Sequence, residues 1–590
     1  MFQPIYTGLL LILMLVLISR DLFRPSMIAF SVVVLLVLGG VINAEEAFHG
    51  FANHGMLTVG FLFVISAALQ VSGIFEVFIS RILGNGNSTT KRYIRLLVPV
   101  AGFSAFLNNT PIVAALVPMI KAWARKHDFA ASKYLIPVSY AAILGGMCTL
   151  IGTSTNLIVH GQLIDNGLEG FSFFEITKVG LPVALLTLVF LIIAGSKLLP
   201  ERKDPMVQLG ESTREFVVQL KVGSSYPFIG KTVEEANLRH LNGLYLFQIN
   251  RRDEVIAPVA TNEMLQYDDR LFFTGLPETI IDLQRTPGLH SINDAEFNLK
   301  NFDSDKLCTY EAVVSNQSPL IGQTVRDSNF RNRYGGVILA IHRSGSRVNK
   351  KVGSIVFQPT DTLLILARKG FDKQWYHAPE FSLVSSSVQL LSKPKWKGNL
   401  SLILLGMMVI TAALKWLPIV VAAGLTAILL VILGIIQSSN AMNAVDWDVL
   451  LYIASSFGIA KGISNSGLAN SAAHALVNAL DCLGPLGIMA GLFVVTSSFT
   501  WFITNNAVAA IMFPVTFSIA QTLQMDLKPF MLILAVGAST CFATPIGYQT
   551  NLMVYSAGGY RFKDFLRIGI PTTLIVGILA MIMIYLLYFR

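Results

Sequence analysis

Two pairs of uncharged polar stretches interrupt otherwise apolar sequence, one pair in each half of this 590-residue chain. In the first half Asn108, Asn109 and Thr110 follow an apolar run, and GMCTLIGTSTNLIV follows from Gly146 to Val159. In the second half Thr504, Asn505 and Asn506 follow an apolar run, and CFATPIGYQTNLMV follows from Cys541 to Val554. Amides and hydroxyls surrounded by apolar sequence are costly unless they bind something. Freed backbone carbonyls and amide oxygens at such interruptions suit a hard monovalent cation such as Na+. Hydroxyls, N–H groups and helix N-termini at the same places suit an oxyanion. The chain offers both kinds of partner at one depth without a buried Asp or Glu.

The two halves align residue by residue. Counting back from Pro118 and Pro514, Asn108 pairs with Thr504, Asn109 with Asn505 and Thr110 with Asn506. In the second stretches Thr149 pairs with Thr544, Gly152 with Gly547 and Asn156 with Asn551. Matched copies suggest one site built symmetrically from two halves.

The elements that hold these residues must cross a membrane. Hydrophobic residues make up 53% of the chain and charged ones only 13%, against about 25% charged in an ordinary soluble protein. Apolar runs long enough to span a bilayer recur many times, which defines a polytopic α-helical membrane protein. The first run, Ile5 to Ile18, lacks a basic segment before it and a small-residue cleavage site after it, so it reads as a retained helix. The net charge is +9, but the positives flank apolar runs, so cytoplasmic bias explains them and nucleic acid is not implied. Cys148, Cys308, Cys482 and Cys541 have neither metal-ligand spacing nor a disulfide framework. No nucleophile–base constellation and no P-loop is present, so neither a membrane enzyme nor an ATP-driven pump is supported.

Charge bias sets the topology. Arg20 and Arg24 follow the first helix, Glu45 and Glu46 the second, and Arg81, Lys91, Arg92 and Arg95 the third, which puts the N-terminus outside. The segment from Arg92 to Lys126 has basic residues at both ends, so it reads as a re-entrant hairpin with the asparagines at its tip. A helix from about Tyr134 is broken between Gly152 and Asn156, and one from Lys178 to Leu199 returns to Arg202 and Lys203. The second half starts inside, at Lys393, Lys395 and Lys397, and repeats the pattern upside down. Spans near 399–414, 418–436 and 448–465 precede a hairpin around 484–520, a broken helix from Pro529 to Ser556 and a last helix from Pro571. Each half thus has five crossings and one hairpin.

Between the halves lies a polar section that is itself a duplication. YPFIGKTVEEANLR begins at Tyr226 and SPLIGQTVRDSNFR at Ser318, 92 residues later. The same offset maps Gly243 onto Gly335, Arg251 onto Arg343, Gln266 onto Gln358 and Asp269 onto Asp361. Each copy alternates short β-rich runs with a short helical stretch after Thr232 or Thr324. The section resembles a tandem TrkA-C type (RCK C-terminal) subdomain of potassium-conductance regulators. That family's G-x-G-x-x-G partner is absent, so NAD binding is not implied. The section serves as a dimerisation or spacer module, or as a regulatory site for a small ligand such as a nucleotide. The expected organisation is a first membrane repeat at 1–200, TrkA-C-like subdomains at 205–295 and 296–390, both cytoplasmic, and an inverted membrane repeat at 393–590.

The membrane halves resemble the divalent anion/Na+ symporter family of the ion transporter superfamily. ASTCFATPIGYQTNLMV, from Ala538 to Val554, is similar to its signature of Ser, Phe, Pro, a small residue, Asn and an aliphatic pair. The family's hairpin-tip motif is Ser-Asn-Thr. The central Asn is kept as Asn109 and Asn505, while the flanking residues depart from it. The resemblance implies a homodimer in the cell membrane with a scaffold domain, a mobile transport domain and elevator-type alternating access. It implies two Na+ sites: Asn109 with Asn108, Asn156 and the backbone at Gly152, and Asn505 with Thr504, Asn551 and the backbone at Ala543. Thr110, Ser154, Asn506, Thr544 and Pro545 would line the anion site. Na+ is the coupling ion, and no organic cofactor is expected. Sulfate is the first-choice substrate, because relatives with such inserts look mostly like inorganic-anion carriers, and a C4-dicarboxylate such as succinate is the alternative. A ligand-gated channel and a nutrient sensor are the rivals from other classes.

Four further residues stand out. Lys461, inside a second-half helix, either offsets an anion's charge or pairs locally. Asp446 and Asp448 read as helix caps. His160 reads as structural rather than as a proton relay.

Overall fold

The computed structural model describes the chain apart from residues 1, 20–22, 75–87, 128, 203–216, 239–243, 253, 257–258, 261, 276–285, 292–306, 316–317, 344–345, 349, 351, 376–377, 379, 387–394 and 590. Arg20, Arg81, Lys203, Gly243 and Lys393 lie outside the described residues.

The first half comprises α1 (Phe2–Ser19), α2 (Pro25–Leu38), a short α3 (Ala44–Phe48), α4 (His54–Ser72), α5 (Thr89–Ser104), α6 (Asn109–Lys126), α7 (Leu135–Gly146), α8 (Ser154–Asp165) and α9 (Thr177–Leu198). Helices α5 and α6 form a hairpin whose turn ends at Asn109. Helices α7 and α8 are two pieces separated by Met147–Thr153.

The middle section folds as two antiparallel sheets. The first contains β1 (Val217–Val222), β2 (Leu244–Arg251), β3 (Glu254–Ile256), β4 (Arg270–Gly275) and β5 (Leu289–Ser291), in the order β3-β2-β4-β1-β5. The second contains β6 (Leu307–Val314), β7 (Gly336–Arg343), β8 (Ser346–Arg347), β9 (Thr362–Arg368) and β10 (Phe381–Ser386), in the order β10-β6-β9-β7-β8. Helices α10 (Phe330–Tyr334) and α11 (Phe371–Trp375) accompany it. The 92-residue offset carries into the geometry. Gln219 faces Phe272 and Glu311 faces Leu364, and bridges join Thr232 to Met264 and Thr324 to Val356. Arg251 pairs with buried Asp269 at 2.9 Å, and Arg343 with buried Asp361 at 2.7 Å. Each Asp also accepts from the backbone N–H three residues before it, so both pairs pin a turn rather than open a site. The expected helical stretch after Thr324 is a turn, and helix begins only at Phe330; after Thr232 the described residues form turns alone.

The second half comprises α12 (Lys395–Ala413), α13 (Ile419–Ile432), α14 (Ser438–Ala444), α15 (Trp447–Asn465), α16 (Leu468–Leu480), α17 (Gly484–Phe499), α18 (Asn505–Leu523), α19 (Leu527–Ser539), α20 (Gln549–Ala557) and α21 (Phe562–Tyr588). Helices α17 and α18 form a hairpin ending at Asn505, and α19 and α20 are separated by Thr540–Tyr548. The last helix begins at Phe562 rather than near Pro571. Asp564 accepts the Arg561 N–H at 2.7 Å and starts it early, and Pro571 lies inside the helix. Helix α16 was not legible as a separate element. Its buried Ala469, Ala473 and Val477 fall at intervals of four, the seam of an amphipathic helix.

Among the described residues, six helical segments are long and apolar enough to cross a membrane. One continuous apolar core runs through both halves, and each sheet has a core of its own.

Candidate functional site

Each broken helix exposes backbone groups that must find partners away from water. The same bonds solve this in both halves. Thr149 donates its hydroxyl to the Ala105 carbonyl at the first hairpin tip, and Thr544 donates to the Trp501 carbonyl at the second, at 3.2 Å. The Asn156 amide donates to the Thr149 carbonyl at 2.9 Å, and the Asn551 amide to the Thr544 carbonyl at 3.1 Å. Asn551 does more than its counterpart: it also donates to the Cys541 carbonyl at 2.7 Å and accepts from Ser139 at 2.7 Å. Glycines in the following helices admit both breaks. A Cβ on Gly180 would sit 2.3 Å from the Met147 carbonyl oxygen, and one on Gly569 would sit 2.2 Å from that of Phe542.

Oxygens gather where a hairpin tip meets a break. A Cβ on Gly152 would lie 2.5 Å from the Gly146 oxygen and 2.9 Å from the Ala105 oxygen. A Cβ on Gly146 would lie 2.9 Å from Asn109 Oδ1 and 3.0 Å from the Gly152 oxygen. The Gly146 and Ala105 oxygens thus face the open side of Gly152, and the Asn109 and Gly152 oxygens that of Gly146, where any side chain would intrude. Uncharged oxygens gathered at neighbouring glycines are the kind of ligand a hard monovalent cation takes. Ser104 donates to Asn109 Oδ1, and Asn109 Nδ2 donates to the Tyr548 hydroxyl at 2.7 Å, so the amide is held from both sides. In the second half a Cβ on Gly547 would lie 2.1 Å from the Thr500 oxygen. Buried Asn505 stands at the start of α18 there, and buried Ala543 lies in the break.

Asn108 and Thr504 stand apart from these clusters. Asn108 Oδ1 accepts the Thr110 N–H at 3.3 Å, a local turn bond, and Thr504 is exposed as the N-cap of α18.

The two halves also brace one another. Ser154, at the start of α8, donates to Asn506 Oδ1 of the opposite hairpin at 2.7 Å. Thr110 donates to Gln549 Oε1, at the start of α20, at 3.1 Å. Gln549 is the repeat counterpart of Ser154, and Thr110 that of Asn506. Helix α6 accordingly packs on α20, and α8 on α18. Four helix N-termini come together here in two pairs, α8 with α18 and α6 with α20. Each carries about half a positive charge, which favours an anion without a basic side chain. Thr544 and Pro545 are buried in the second break; Thr544 is committed to the tip carbonyl already described.

Tyr548 and Gln549 escaped the sequence reading. The repeat offset offered a signal for Gln549, since it aligns with Ser154. Tyr548 aligns with Thr153, too short to reach as far, so its role arises only in three dimensions. A Tyr548→Phe variant, losing one hydrogen bond of about 1 kcal/mol, is expected to raise the half-saturating Na+ concentration roughly fivefold. Titrating uptake with Na+ at fixed anion measures this, and an unchanged Na+ curve would refute it.

The weighed residues separate. Lys461 is half-exposed, lies 3.8 Å from Glu46 and lines a cavity of about 290 Å³ with His49, Asp165 and Phe513. The local-pairing reading fits it. Asp446 caps α15 by accepting the Val449 N–H at 3.1 Å. Asp448 is not a cap: it pairs with Arg24 at 3.0 Å and accepts from Ser26 at 2.8 Å, tying α15 to α2. His160 is packed against Gly170.

Helical hairpins meeting broken helices, among several helices long and apolar enough to cross a membrane, are the architecture of a multi-pass membrane transporter. The chain belongs to the CitMHS family, described as citrate transporter, which it matches over residues 13–537 and 484–590. A Chlamydomonas reinhardtii protein named as a sulfur deprivation response regulator is 35% identical over 97% of this chain and 99% of its own length. An uncharacterized transporter of Synechocystis is 30% identical over 95% of this chain and 93% of its own length. Sodium/sulfate cotransporter 1 of Chlamydomonas reinhardtii is 25% identical over 94% of this chain and 86% of its own length.

Proposed function

We propose that this chain is a Na+-coupled symporter of a divalent oxyanion, sulfate first. The observation that carries it is the oxygen cluster of Ala105, Gly146, Gly152 and Asn109 beside the four N-termini joined by Ser154–Asn506 and Thr110–Gln549. Two cations and a divalent anion make an electrically neutral load, which lowers the cost of moving it through a low-dielectric medium. Asn109 and the Gly152 backbone hold one Na+, Asn505 and the backbone near Ala543 the other, and Thr110, Ser154, Asn506, Thr544 and Pro545 line the anion site. The duplicated bonds support an inverted repeat, and such repeats favour elevator-type alternating access in a homodimer. On this reading residues 205–390 form a cytoplasmic tandem TrkA-C-like insert, open to a small regulatory ligand.

The cotransporter relative's name supports Na+ and sulfate. The family's description names citrate, so succinate and citrate belong in the same assay as competitors. Uptake of radiolabelled sulfate into proteoliposomes, driven by an inward Na+ gradient and abolished without it, is the expected result. Na+-independent uptake, or none, would overturn it. A relative named as a response regulator favours a second reading, a sensor that binds but does not transport. Saturable Na+-dependent sulfate binding with no uptake would support that reading instead.

A further inference from the structure

Among the described residues, contacts made by the second sheet, and by Arg202 just ahead of the middle section, fall on one set of helices. Lys121, on α6, pairs with Glu311, on β6, at 2.5 Å, and both side chains are only 3% exposed. Ser556, near the end of α20, donates to the Thr360 carbonyl just before β9 at 3.1 Å. Arg202, just past α9, donates to the Gly559 carbonyl at 2.6 Å and pairs with Asp564 at 2.7 Å, where α20 gives way to α21.

Strand alternation explains how β6 serves both sides. Cys308, Tyr310, Ala312 and Val314 point into the core of their own sheet. Glu311 and Val313 point the other way, and Val313 belongs to the apolar core of the membrane halves. Both partners of the ion pair are also departures from their own repeats. The counterpart of Glu311 in the first sheet is Gln219, which is only half-buried. The counterpart of Lys121 in the second hairpin is Phe517. Each duplication therefore carries a charge in one copy alone, and the two charges meet. Burying a pair this completely is costly unless the joint stays closed.

We infer that the outer face of β6 is a permanent joint fastening the second sheet to α6 and α20, so that this sheet travels with the helices that begin at the transport site. Farther along the chain α12 packs on α4 and α13 instead. A ligand that deforms the second sheet is then felt through α6 and α20, at Asn109 and Gln549. The inference rests on the proposed transport cycle, but its joint can be tested without transport.

The first test is charge reversal. Lys121→Glu or Glu311→Lys alone is expected to lower the unfolding temperature of the detergent-solubilised protein by several degrees, and the double variant to recover most of the loss. Singles that unfold like the parent, or a double no better than the singles, would overturn the joint whatever the substrate is. The second test places Ser556→Cys and Thr360→Cys in a Cys482→Ser background, where the other native cysteines are buried. The expected result is a disulfide in high yield, with sulfate uptake kept within about twofold, because a joint that never opens loses nothing when locked. Uptake arrested by oxidation and restored by reductant would show that the contact opens each cycle.

Discussion

Gly152→Ala removes Na+-driven uptake at ordinary Na+ concentrations. The added methyl would stand 2.5 Å from the Gly146 oxygen and 2.9 Å from the Ala105 oxygen, closer than carbon and oxygen tolerate. Backbone on both sides must move, and these are oxygens proposed to hold Na+. Overpacking of this kind costs about 2 kcal/mol, so Na+ affinity falls roughly 30-fold. Gly547→Ala acts in the same direction on the second half, where the Thr500 oxygen is 2.1 Å from the new methyl. Gly102→Ala is the control. It lies on α5 of the same hairpin, a Cβ there meets nothing within 4 Å, and uptake should be unchanged. Na+ titrations of sulfate uptake for the three variants decide the matter. A Gly152→Ala protein with the parent's Na+ dependence would remove the oxygen cluster from consideration as a cation site.

Asn551→Leu destabilises the protein most among substitutions at the breaks. Its amide satisfies the Cys541 and Thr544 carbonyls, and its oxygen accepts from Ser139. A leucine leaves the two buried carbonyls unpartnered at about 1 kcal/mol or more each, while Ser139 keeps its bond to Thr550 at 2.8 Å, a loss of about 2 kcal/mol or more. Asn156→Leu, at the matching place in the first half, removes one bond to the Thr149 carbonyl and costs about 1 kcal/mol. Thermal unfolding of the solubilised variants should rank Asn551→Leu well below Asn156→Leu. Equal losses would mean that the two breaks are supported alike and that the additional partners of Asn551 contribute nothing.

The hairpins and breaks were legible because the code for them is local. Asn109, Asn505 and the Gly152 and Gly547 segments are polar or conformationally free residues set into apolar runs, and only a helix end or a break makes sense of them. The two sheets were legible because register repeats at a fixed offset. What was hidden depends on pairs far apart in sequence. Lys461 has its acidic neighbour, Glu46, in the other half of the chain, where no local pattern points to it. Asp448 looked like a cap until Arg24 reached it. Tyr548 and Gln549 have ordinary residue types, and only the meeting of α20 with α6 gives them work. Helix α16 was hidden for another reason: its small apolar residues run into the apolar sequence of α17, and periodicity alone does not divide them.

The exchange of braces between the halves has a consequence for how the protein is made. Asn109 and Thr110 leave the ribosome early, with α5 and α6, but their partners Tyr548 and Gln549 arrive only with α20. Until then the first hairpin tip has its backbone cluster but not the two side chains that hold its amide and hydroxyl. The first hairpin tip is therefore completed only by nearly the last helix to be made, and a chain cut short before α20 would lack both braces.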